Sequence, residues 1–189
     1  MQGHSDVPLN SDGQVQAQRI GSRLSTHSLP PEVIYSSDLS RAVQTAEEIA
    51  RPLGIKVITT PQLRETMLGE WEGLTKQEII ARGDEELLEE YIADSYKSRP
   101  PGGESLDAVW DRMLRIFSRI RGDHPESRIA IVGHGGSLRS VICHTLDATV
   151  TSMRRIWLDN ASLSILEYSE STSASQSRIL LLNDTSHLS

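Results

Sequence analysis

One imidazole in this chain stands where it can do chemistry. In IAIVGHGGSLRS (residues 129–140) the apolar run Ile129–Val132 reads as a strand, and His134 follows at its carboxyl end. Gly133, Gly135 and Gly136 let the backbone turn sharply and come close to a ligand. A helix is expected to begin at once, so its unpaired N–H groups and positive dipole end face the same spot. An imidazole beside such a helix start suits phosphate. The bland alternative is a packed histidine with glycines needed only for the turn. Strand, glycines and helix agree, and that favours function.

Two further places share this logic. In VIYSSDLSRAVQTA (33–46) a strand ends, small polar residues turn the chain and a helix begins, with Arg41 near its first turn. A guanidinium there can grip phosphate oxygens through two parallel hydrogen bonds. Alone, it reads as a solvated surface arginine or as one pairing with Glu48 across the helix; with His134 it does not. In LRETMLGEWEG (63–73), Glu65 follows a strand region and can donate a proton if held in a partly closed site. Glu70 and Glu72 compete for that role, and spacing does not choose among the three.

Other chemistries are set aside. There is no G-x-x-x-x-G-K-[ST] loop, no G-x-G-x-x-G and no H-E-x-x-H, so no cofactor or metal is expected. Thr149, not arginine, follows the single cysteine, Cys143, six positions on, which is not the spacing of a cysteine phosphatase; the thiol reads as core. A net charge of −7 disfavours nucleic acid as a partner. No apolar stretch is long enough to span a membrane and no tripartite signal starts the chain, so the expected location is cytoplasmic.

These residues need elements to hold them. Periodicity predicts helices over about 12–26, from 37 or 38 to Pro52–Gly54, within GDEELLEEYIADSY, over 104–121, and through SLRSVICHTL. Ser37 or Asp38 is the expected cap of the second. Strands are predicted at 33–37, 55–60, 129–132 (the expected central strand), SLSILEYS and RILLLND, with ESTSASQS as a polar loop. Alternating strands and helices predict an α/β layered fold whose ligands sit beyond the carboxyl ends of parallel strands. The 189 residues, 37% hydrophobic, show no internal linker and are read as one domain, 1–189.

In order, QGHSDVPLN, SSDLSRAVQTA, LRETMLGEWEG, PPGGES, VGHGG and LLLNDTSHL resemble the histidine phosphatase superfamily, the phosphoglycerate mutase-like family. GEWEG and the short middle region look most like the small broad-specificity and α-ribazole phosphatases. The resemblance implies a three-layer sandwich with a mostly parallel central sheet flanked by helices. It implies a small-molecule phosphate ester as substrate, a phosphohistidine intermediate and no metal ion. Arg41 would bind phosphate, Glu65 would protonate the leaving group, and His134 would hold the phosphate and stabilise the transition state. Gln2, Gly3 and Gly135 would touch phosphate or substrate.

The family's first motif is a strand followed by Arg-His-Gly, whose histidine is the nucleophile. No Arg-His-Gly occurs in this sequence. The expectation is therefore an N-terminally incomplete domain lacking its first, central strand and loop, on the order of 15–25 residues, with little or no turnover. His4 is not expected to substitute. Arg64, Lys97 and Arg99 are candidates to extend the cationic pocket, and Trp71 to line a lid. Oligomeric state is not legible.

Overall fold

The computed structural model describes residues 1–96, 98–168 and 177–189. The fold grows from two crossovers. Helix α1 (Ser11–Ser25) starts where Asn10 accepts the N–H of Gly13, and its buried Ala17, Ile20 and Gly21 form the predicted face. Strand β1 (Val33–Ser37) leads into α2 (Ser40–Leu53), and β2 (Val57–Thr60) follows. After an irregular segment come α3 (Lys76–Ala81), α4 (Glu85–Ala93) and α5 (Leu106–Asp123); then β3 (Ile129–Val132), α6 (Gly135–Thr145), β4 (Leu163–Glu167) and β5 (Arg178–Asp184). The ESTSASQS loop lies almost wholly outside the described residues.

The three parallel strands are ordered β2-β1-β3. Residues along β1 and β3 alternate between two cores, as the pleat requires. Ile34, Ala130 and Val132 pack with Ile20, Ile49 and Ala50 of α1 and α2 on one face. Tyr35, Ile129 and Ile131 face Val109, Met113, Phe117 and Val141 of α5 and α6 on the other. This is the α/β architecture of helices on both sides of a parallel sheet. Cys143 lies in the second core, fully buried.

Two expectations change. The strand 129–132 is not central: β1 holds the middle and β3 pairs only with β1 among the described residues. Strands β4 and β5 form a separate antiparallel pair. The cap of α2 also differs. Helix α2 begins at Ser40 behind Leu39, whose side chain cannot cap. Its acceptor comes from 34 residues upstream: Asp6 takes the Ser40 N–H at 2.6 Å and the Ser40 hydroxyl at 2.9 Å.

A smaller core sits over the irregular segment. Trp71, Ile79, Leu68 and Leu88 bury together, with Tyr91 edge-on to Trp71. Trp71 is fully buried and its indole N–H donates to Asp84 at 2.9 Å. It anchors this core and is not available to line a lid.

Candidate active site

Parallel strands end level with one another, and that sets the first contact. Ser36 stands beside Val132 in the register, so Ser37 and the chain just past Val132 emerge together. His134 Nε2 and Ser37 Oγ share a hydrogen bond of 2.9 Å, and both residues are buried. Burial, above all, pushes the imidazole down to about 3; Arg41, His4 and Arg112 push the same way, and Asp38 opposes them weakly. His134 is therefore a neutral imidazole at pH 7, at the start of α6.

The second contact ties down the opening loop. Arg41 donates from one terminal nitrogen to the Ser5 carbonyl at 2.8 Å and from the other to the Gly3 carbonyl at 2.9 Å. Among the described residues, three of its five N–H groups have no protein acceptor. Burial depresses the guanidinium, offset in part by Glu65, Asp6 and Glu72. Gly3 sits at φ +52°, and a Cβ there would meet the Glu72 carboxylate at 2.8 Å, so the turn needs glycine. Between the two gripped carbonyls stands His4. Its backbone N–H donates to Glu72 at 2.9 Å and its Nε2 to the Glu65 carbonyl at 2.8 Å.

Glu65 closes the arrangement. Its carboxylate accepts the N–H groups of Gly136 and Ser137, each at 2.9 Å, and of Thr66 at 2.8 Å. Two of these are donors from the first turn of α6, the helix whose cap is His134. The competitors lie elsewhere: Glu70 is exposed and pairs with Arg82, and Glu72 braces the opening loop. Arg112 of α5 holds the backbone around Glu65. It donates to the carbonyls of Gln62 (2.7 Å), Arg64 (3.0 Å) and Glu65 (3.3 Å) while its fork grips Glu104 at 2.8–2.9 Å.

The structure thus brings Arg41, Glu65, His134 and Gly3 together, with Gly135 opening α6 beside them. Gln2 is exposed and enters the loop through its carbonyl, which accepts the Ser5 N–H. Arg64 is not free to extend a cationic pocket: it is locked bidentately on Asp38, both bonds 2.7 Å. Arg99 is exposed, and Lys97 lies outside the described residues. Sequence reasoning passed over Arg112 entirely and left His4 aside. Arg112 had no signal beyond its place on an amphipathic helix; His4 had proximity to Gly3.

A buried imidazole and a half-buried guanidinium and carboxylate gather near the carboxyl ends of the parallel strands. Comparison agrees. The sequence profile described as histidine phosphatase superfamily (branch 1) matches residues 1–185. The chain belongs to that family. It is 43% identical over 142 residues to phosphoglycerate mutase-like protein 4 of Arabidopsis thaliana, covering 75% of this chain and 61% of that protein. It is 31% identical over 187 residues to phosphoserine phosphatase 1 of Hydrogenobacter thermophilus, covering 99% and 85%. A mycobacterial glucosyl-3-phosphoglycerate phosphatase, solved with inorganic phosphate, superposes with TM-score 0.85 at 29% identity, covering 100% and 93%.

Proposed function

We propose that this protein handles small-molecule phosphomonoesters, as a phosphatase of the histidine phosphatase family. The observation that carries the reading is the convergence of Arg41, His134 and Glu65 around one loop. Arg41 presents its remaining N–H groups to phosphate oxygens. Neutral His134 offers a ring N–H to the same oxygens. Such donors stabilise charge that builds on a transferring phosphoryl group. Glu65, oriented by three backbone N–H groups, is the proton donor to the leaving oxygen.

The phosphohistidine step of this reading needs a histidine in an Arg-His-Gly segment, and the 189 residues hold none. That observation favours a second reading for this chain alone: it binds phosphate esters with little or no turnover. One experiment tests both. Inorganic phosphate and p-nitrophenyl phosphate are titrated by calorimetry into the protein and into Arg41→Ala and His134→Ala, and hydrolysis of p-nitrophenyl phosphate is followed in parallel. Binding that either substitution weakens by about tenfold or more is expected. Binding indifferent to both would sink the site. Fast hydrolysis by these 189 residues would remove the second reading and require a nucleophile among them.

A further inference from the structure

Arginines around the site differ in one respect. Arg41, Arg64, Arg112 and Arg154 each spend N–H groups on protein acceptors; Arg154 takes the carbonyls of Tyr91 and Ile92. Arg139 does not. Among the described residues its guanidinium makes neither hydrogen bond nor ion pair, and its Nε is sealed from solvent with no partner. The ring of Trp157 lies 5.9 Å from the guanidinium carbon. The residue is half-buried. A partly desolvated cation without an anion is costly, and the cost is relieved when an anion arrives.

Its position says which anion. On α6, residues three and four apart share a face. Arg139 therefore lies one turn beyond Gly136, which binds Glu65, and Gly135, whose Cβ would stand 3.6 Å from the Leu158 carbonyl. The 157–158 segment walls the same face. Tyr91 packs edge-on to Trp71. Burial raises its hydroxyl, Glu65 raises it further, and Arg154 and Arg139 pull it back, so all three charges act on one hydroxyl. Arg139 thus stands one helical turn along α6 from the N–H that holds Glu65.

We propose that Arg139 determines specificity by receiving a second anionic group, a carboxylate or phosphate, on the leaving portion of the substrate. This rests on the phosphomonoester reading above. Trp157, 72% exposed, forms the outer wall of that subsite.

The test uses calorimetric binding and needs no turnover. Inorganic phosphate, phosphoglycolate and the uncharged-tail analogue 2-hydroxyethyl phosphate are titrated into the wild type, Arg139→Gln, Arg139→Lys and Arg119→Gln. The last removes the same charge from an exposed position on α5. The wild type is expected to prefer phosphoglycolate over the uncharged analogue by about tenfold or more. Arg139→Gln should reduce that preference to about twofold or less with phosphate affinity unchanged, which also reports an intact fold. Arg139→Lys should fall between, and Arg119→Gln should keep the preference. Equal wild-type affinities, or a preference that survives Arg139→Gln, would overturn this proposal alone. Failure of the wild type to bind inorganic phosphate would overturn the phosphomonoester reading and this one with it.

Discussion

A carboxylate oxygen of Glu65 lies 2.9 Å from the backbone nitrogen of Gly136, and a Cβ placed on residue 136 would stand 2.4 Å from the other oxygen. The helix start that follows His134 is thus coupled to the glutamate through a gap that only glycine leaves open.

Gly136→Ala should therefore displace the Glu65 carboxylate. An alanine inside a helix ordinarily gains up to about 1 kcal/mol over glycine. Here the clash opposes that gain, and a net loss of about 1–2 kcal/mol is expected. Gly122 in α5 is the contrast, since a Cβ there meets nothing within 4 Å. Gly122→Ala should raise stability by about 0.4–1 kcal/mol. Urea unfolding of both variants checks the pair; a stabilised Gly136→Ala would contradict the coupling.

His134 makes stability depend on pH. Its folded-state value is about 3 against 6.5 for an unperturbed histidine. Between those values the unfolded chain binds the proton and the folded chain does not. The contribution is complete above pH 6.5 and is lost as pH falls, at up to about 1.4 kcal/mol per unit, or roughly 2 kcal/mol from pH 6.5 to 5. His187, also lowered by burial, adds in the same direction. Unfolding midpoints at pH 7, 6 and 5 should show a shallower slope for His134→Gln than for the wild type. Identical slopes would mean that the buried imidazole titrates normally.

Arg112 joins α5 to three carbonyls around Glu65 and to the Glu104 carboxylate, with both charged side chains largely buried. Arg112→Ala strands that carboxylate and should cost about 3 kcal/mol. Arg112→Lys keeps the charge but not the fork and should recover only part of it. The measurement is chemical denaturation; a loss below about 1 kcal/mol for Arg112→Ala would argue against a bracing role.

Strand β1 is hydrogen-bonded on both sides, whereas β3 is bonded to β1 alone among the described residues. Amides along β1 should therefore exchange with solvent deuterium more slowly than those of β3, where the N–H groups of alternate residues point away from β1. Equal protection along Ile129–Val132 and Val33–Ser37 would show that the outer edge of β3 is covered in solution.

Much was legible locally. Strands 33–37 and 129–132 stand where predicted because short β-branched and apolar runs bounded by turn residues have few other uses. His134 was legible because strand, glycine turn and helix are consecutive in the chain. The α2 cap was not, because its acceptor, Asp6, is 34 residues from Ser40. Spacing did not choose among Glu65, Glu70 and Glu72 either; the family resemblance pointed to Glu65, and Glu65 is the carboxylate that reaches the N–H groups of residues 136 and 137.

By itself the sequence determined the α/β alternation, the places where loops meet helix starts, and a motif order that marks the family. These depend on interactions between near neighbours, whose period and turn chemistry can be read along the chain. Tertiary structure alone decided that β1 rather than β3 lies in the middle of the parallel sheet, that Arg64 is spent on Asp38, that Trp71 is buried, and that Arg139 has no anionic partner among the described residues. Each of these turns on which distant groups meet, and partner choice between residues far apart in sequence is settled by packing rather than by residue type.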